Sequence, residues 1–175
     1  SKFGDDLTDV RVDYKYTNET KKISRGFVEG RTALAFRNVY PVFDNNNNYL
    51  GAMEIAFSSE YLQDNFTEIA NIHTHFLVDK NIFNTKTWER DDFIAEYIQS
   101  VENNRYMVSM PKSHTKQEYT YLVKQKTKGI EETIQENINK GKPFALYNIE
   151  QDMTNVISFL PIYNNLNNEL KAWIV

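Results

Sequence analysis

The chain has 175 residues, no cysteine, and 20 Lys and Arg against 24 Asp and Glu, for a formal charge of −4. That length holds one domain, or one and a half small ones, around a real core. Without thiols there is no disulfide framework, thiolate zinc site, iron–sulfur cluster or covalently attached c-type haem. The acidic balance speaks against a protein that neutralises nucleic-acid phosphates.

The first residues, Gly4 to about Lys22, are polar with scattered apolar positions (Leu7, Val10, Val12) and read as a turn leading into a short helix or irregular region. From Ser24 the texture changes. Arg25 to Arg31 alternates, Ala33 to Phe43 is almost free of charge, and Tyr49 to Ser58 is another short apolar run beyond Asp44-Asn45-Asn46-Asn47-Asn48. This pattern predicts a three-stranded antiparallel meander whose second connection is an Asn-rich turn. Ser58 and Ser59 stand before Leu62, Phe66, Ile69 and Ala70, which predicts a helix of about three turns. Ile72 to Val78 alternates as a strand does. Asn81 to Arg90 reads as a loop holding Trp88, and Asp91-Asp92 as the start of a helix carrying Phe93, Ile94, Tyr97, Ile98 and Val101. Thr115 to Glu118 matches a capping box, followed by a long helix with a weak point at Gly129. Gly141-Lys142-Pro143 ends it, and strands are predicted over Phe144 to Ile149, Val156 to Tyr163 and Leu170 to Val175.

No run approaches the roughly 20 apolar residues of a membrane span, and Ser1 does not open a signal peptide. A start without Met and a stop inside the apolar run ending at Val175 lead to the expectation of a piece of a longer, membrane-anchored protein.

An internal echo is the most informative feature. Residues 41–55, from Pro41-Val42-Phe43-Asp44 to Leu50-Gly51-Ala52, align without a gap on residues 161–175, from Pro161-Ile162-Tyr163-Asn164 to Leu170-Lys171-Ala172. A chain with 20 Asn matches itself around Asn-rich turns by chance. Asn abundance does not explain the Pro, the aromatic two residues on, or the Leu-x-Ala after the turn. Two related units, each with the same hairpin, are therefore expected, here 1–70 and 71–175.

Phe3-Gly4-Asp5-Asp6-Leu7, Gly26-Phe27-Val28-Glu29-Gly30-Arg31, Phe36-Arg37-Asn38-Val39-Tyr40-Pro41-Val42-Phe43-Asp44 and Leu50-Gly51-Ala52-Met53-Glu54-Ile55 resemble the extracytoplasmic Cache (PAS-like) sensor domains of bacterial receptors. The likeness is to the double-Cache type of histidine kinases, chemotaxis receptors and cyclic-dinucleotide enzymes, and Ile157 to Tyr163 with Ala172 to Val175 looks like the closing hairpin. It implies an α+β fold of PAS-like antiparallel sheets with linking helices. It also implies a periplasmic location, a homodimeric full receptor, and a small-molecule ligand such as a carboxylate or amino acid. No cofactor and no catalysis are expected. The family's long first helix is not found, and the Tyr, Arg, Trp and Asp signature of its amino-acid-sensing members is not recognisable.

Pairing Asp44 with Tyr49 would set Val39 opposite Glu54 and Arg37 opposite Ala56. One face then carries Ala33, Ala35, Arg37, Val39, Ala52, Glu54, Ala56 and Ser58, small residues around one cation and one anion, as a ligand pocket has. The other carries Leu34, Phe36, Tyr40, Val42, Met53, Ile55 and Phe57, and is expected to pack on helices as the core. Arg37 is the first candidate to bind a ligand carboxylate, with Glu54 beside it. If the preceding strand keeps its alternation, with no bulge near Gly30 to swap them, Phe27, Glu29 and Arg31 share one of its faces and join the candidate site, as do His75 and Trp88, for which two readings stay open: a lid folded over the sheet, or a plug of the core. Two readings stay open for Arg37 and Glu54: a pocket, or a cross-strand ion pair that binds nothing.

His73 and His75 alternate and would share a face, which a small metal-dependent hydrolase could use. No nucleophile elbow, phosphate loop or His-Glu-x-x-His appears. A partner-binding module without a solute ligand is the third reading.

Overall fold

The computed structural model describes residues 11–29, 34–70, 72–84, 97–109, 115–150 and 153–175, with only the backbone at Glu29, Asn84, Glu150 and Met153. Helix α1 (Val12–Thr20) precedes strands β1 (Ser24–Glu29), β2 (Leu34–Phe43) and β3 (Tyr49–Ser58), which form an antiparallel sheet in that order. Helix α2 (Ser59–Ala70) leads to β4 (Phe76–Asp79), a 3-10 turn (Lys80–Asn84), β5 (Tyr97–Gln99) and β6 (Tyr106–Ser109). Helices α3 (Lys116–Thr127) and α4 (Glu131–Lys140) follow, then β7 (Phe144–Glu150), β8 (Met153–Tyr163) and β9 (Leu170–Ile174). The second sheet is antiparallel with order β5-β6-β4-β9-β8-β7. The molecule is thus α+β, and every strand of the first sheet precedes residue 71 while every strand of the second follows it.

Strand β4 is buried along its whole length, so both of its faces meet a core. Leu77 points to α3 and α4, joining Ile98, Tyr106, Val108, Tyr119, Val123, Ile134, Ile138, Phe159 and Trp173. Phe76 and Val78 point the other way, into a second core with Phe27 and Leu34 of the first sheet and Ile82, Tyr97 and Ala172. Phe27, Phe36 and Phe76 seal the junction of the sheets, with ring centroids 5.0 to 6.1 Å apart.

Two expectations about helices change. Gly129 has φ +81°, a backbone that strains any residue with a Cβ, and it divides the expected single helix into α3 and α4. The capping box before α3 is formed as expected: Thr115 Oγ1 accepts from Glu118 N–H at 3.2 Å and Glu118 Oε2 accepts from Thr115 N–H at 2.8 Å. Tyr97 and Ile98 lie in a strand, not a helix, paired with Ser109 and Val108. The apolar spacing around them mimics a helix, but adjacent Tyr97 and Ile98 enter opposite cores, which only a period of two permits. The start expected at Asp91-Asp92 falls outside the described residues.

The two hairpins are alike up to their turns. The register shifts between Val42 and Phe43 in one and between Ile162 and Tyr163 in the other, and each turn holds an Asn with positive φ, Asn47 at 65° and Asn168 at 56°. The loops differ by one residue. Asp44 N–H donates to Asn48 O at 2.9 Å, whereas Asn164 N–H donates to Glu169 O at 2.8 Å. Val42 therefore faces Gly51 while Ile162 faces Ala172, so the ungapped Leu-x-Ala match is not a structural one.

Candidate functional site

The register of β2 and β3 sets Arg37 opposite Ala56 and Val39 opposite Glu54, as expected, although Phe43 rather than Asp44 meets Tyr49. The shift after Val42 makes up the difference. What covers this sheet face is α1. Asp13 and Thr17, four residues apart, are the buried positions of that helix, and beneath it Val39, Ala35, Val28 and Ser24 are buried.

A chain of charges seals this layer. Arg11 Nε and Nη2 grip Asp13 Oδ1 and Oδ2 at 3.0 and 2.7 Å, and Arg11 Nη2 also donates to Glu54 Oε2. Arg37 Nη1 donates to Glu54 Oε1 at 2.5 Å, and Arg37 Nε to Val28 O at 3.3 Å. Burial alone would lower the Arg11 pKa, but Asp13 and then Glu54 outweigh it and raise it. Two cations and two anions balance, and the side chains are no more than 15% exposed. Of the two readings for Arg37 and Glu54, the geometry forms the cross-strand ion pair.

The opposite face does not form the expected helix-packed core. Its near end (Phe27, Leu34, Phe36) packs on the second sheet, but Met53, Ile55 and Phe57 are 53%, 46% and 45% exposed. Helix α2 reaches them only through Tyr61, whose ring stacks on Phe57 at 6.1 Å between centroids. The helix buries Ser59 and Gln63 while Phe66 and Ile69 stay exposed. Size and apolarity chose the wrong face because α1, with buried Asp13 and the buried Arg11 just before it, took the small-residue side.

A groove of about 390 Å³ opens where β1 and β2 meet the β8–β9 hairpin, lined by Arg25, Gly26, Phe27, Phe36, Arg37, Asn38, Pro161, Ile162, Tyr163 and Asn165. Antiparallel partners share a face, so the pairs Arg25–Asn38 and Phe27–Phe36 look the same way. Asn165 Nδ2 donates to Arg25 O at 2.5 Å and holds the far turn against β1. Among the described residues no carboxylate pairs with the Arg25 guanidinium, and the side chain is exposed.

A second polar cluster lies at the edge of the other core. His75 Nε2 is 2.6 Å from Glu102 Oε1, Ser100 Oγ donates to Glu102 Oε2 at 2.8 Å, and the Tyr119 ring meets His75 edge-on at 5.3 Å. Burial pushes the Glu102 pKa up, but the charge and hydrogen bond of His75, with the Ser100 bond, outweigh it and leave the carboxyl lowered. Burial, then the Glu102 charge, raises the Tyr119 pKa. The Tyr119 hydroxyl is buried without a hydrogen-bond partner among the described residues.

The residues singled out from the sequence thus separate. Arg37 and Glu54 meet beneath α1, and Phe27 lies on the other face of the same sheet. Glu29 ends β1 opposite Leu34. His75 sits by Glu102, and His73 is exposed and outside β4. Arg31 and Trp88 fall outside the described residues. Among the described residues no three His, Asp or Glu side chains are grouped as metal ligands would be. Arg25, Asn38, Tyr163 and Asn165 went unnoticed as groove residues, although alternation already put Arg25 on the Phe27 face. No protein-family model matches the chain, and no curated protein matches it in sequence.

Proposed function

We propose that this chain is the extracytoplasmic, solute-sensing part of a membrane-anchored bacterial receptor of the double-Cache, PAS-like kind. The order of the second sheet carries the reading. Its first long-buried strand, β4, lies at the centre beside its last, β9. Two helices fill the excursion between the halves, and the β7-β8-β9 meander closes the sheet. This layout supports the PAS-like reading. The first sheet repeats the meander, with β1-β2-β3 in the places of β7-β8-β9.

In this role the domain does no chemistry. A solute favours one of two arrangements of the packed sheets, and the shift in that equilibrium passes to flanking membrane segments and so to a kinase, chemotaxis or cyclic-dinucleotide output. The end of β9 is suited to carry it, because Val175 and His75 exchange backbone hydrogen bonds of 2.9 Å each beside the Glu102 cluster. Among the described residues no helix is long and apolar enough to cross a membrane.

The test is protease accessibility in spheroplasts expressing the full-length protein. The receptor reading predicts cleavage within this domain from outside. Protection in intact spheroplasts with cleavage only after lysis would refute it.

A further inference from the structure

We propose that the groove between β1–β2 and the β8–β9 turn binds a small monocarboxylate with an apolar body, Arg25 taking its carboxylate. This deepens the sensor reading and rests on it.

The groove joins the two sheets, the place where a bound molecule changes their fit. At about 390 Å³ it lies at the small end of the range for ligand sites, suited to a metabolite and not to a macromolecule. Phe36, Pro161 and Ile162 supply its apolar wall, with Phe27 buried behind them. Its polar groups converge from both sheets: the Arg25 guanidinium, the Asn38 amide beside it in register, and Asn165 from the opposite turn.

The charge balance sets the ligand class. Arg37, although it lines the groove, has its fork on Glu54 and Val28 O, whereas no described carboxylate pairs with Arg25. One such cation, with no anion lining the groove, favours one negative charge over a dicarboxylate or an amine. Asn165 already donates to Arg25 O, leaving its side-chain oxygen to accept from a ligand hydroxyl or amine. A ligand spanning Arg25 and Asn165 tightens the contact between β1 and the distant turn, which gives it different affinity for the two arrangements of the sheets, as signalling needs.

Calorimetric titration of the domain with benzoate and 3-methylbutanoate tests this, with benzamide and benzylamine as neutral and cationic counterparts, up to roughly 10 mM. We expect at least one carboxylate to bind and neither counterpart to do so. Arg25→Gln, and independently Asn38→Leu, should each weaken binding by about tenfold or more, with circular dichroism confirming the fold. Carboxylate binding that survives both substitutions overturns the site and leaves the sensor reading standing. Benzamide or benzylamine binding as tightly as benzoate overturns the ligand class. Failure of both carboxylates beside binding of some other solute overturns the proposal alone, and failure of every solute in a broad panel overturns both.

Discussion

Replacing Glu54 by Gln probes the layer that distinguishes this structure from its sequence-based expectation. The carboxylate is shared by Arg11 and Arg37, and Asp13 balances only one of those cations. Gln keeps the shape and one acceptor oxygen but leaves one positive charge uncompensated among side chains 8% to 15% exposed. Removing one partner of a fully buried pair costs about 3–5 kcal/mol. The residual exposure and the surviving acceptor bring the expected loss here to about 2–3 kcal/mol. For a domain of this size that lowers the melting temperature by roughly 4 to 12 °C. Urea unfolding followed by circular dichroism measures it. The double variant Arg37→Met with Glu54→Met should lose less than the sum of the single variants, by about 1–2 kcal/mol, because it leaves no orphaned charge between them. A loss under about 0.5 kcal/mol for Glu54→Gln, or strict additivity in the cycle, would show that α1 is not pinned through these charges.

The two faces of the first sheet should respond oppositely: Val39→Ala, fully buried, should cost about 2 kcal/mol, and Ile55→Ala, half exposed, under about 1. The reverse ranking in urea midpoints would restore the expected core face. Glu102 has a lowered pKa in the fold, so its contribution is full above the ordinary value of 4.5 and fades as the pH falls through the lower folded value. Glu102→Gln should therefore be clearly less stable than the parent at pH 7, with the gap closing on acidification below that value; a gap independent of pH would contradict the His75–Glu102 pairing. Tyr119→Phe removes a buried hydroxyl without a partner among the described residues and should be neutral or stabilise by about 1 kcal/mol. A loss larger than that would mean the hydroxyl is satisfied in solution.

The hairpins were legible because their signals are local. Alternation and Asn-rich turns specify strand and turn within about 15 residues, but not the register shifts after Val42 and Ile162. The meeting of Arg37 and Glu54 could be foreseen from the alternation, although the turn pairs Phe43 and not Asp44 with Tyr49 and the expected register holds only because the shift after Val42 offsets that difference. What covers a sheet face is not local. Nothing in Val12 to Thr20, mostly polar, marks it as the helix that seats Asp13 and Arg11 over Val39 and so exposes Ile55 and Phe57. Tyr97 and Ile98 show the same limit. Their spacing from Phe93 and Ile94 suits a helix, and only the partner strand at Tyr106 to Ser109, not recognised in the sequence, decides otherwise. The groove eluded the sequence for a related reason. It is made by Arg25 and Asn165, 140 residues apart, and the Asn-rich turn that supplies one wall looks like an ordinary solvated loop.

A thermal-shift screen of the domain against a broad panel of small solutes is the most direct test of solute sensing. The account predicts that at least one solute raises the melting temperature in a saturable way, by several degrees at about 100 times its dissociation constant. A melting temperature unmoved by every solute at saturating concentrations would contradict it.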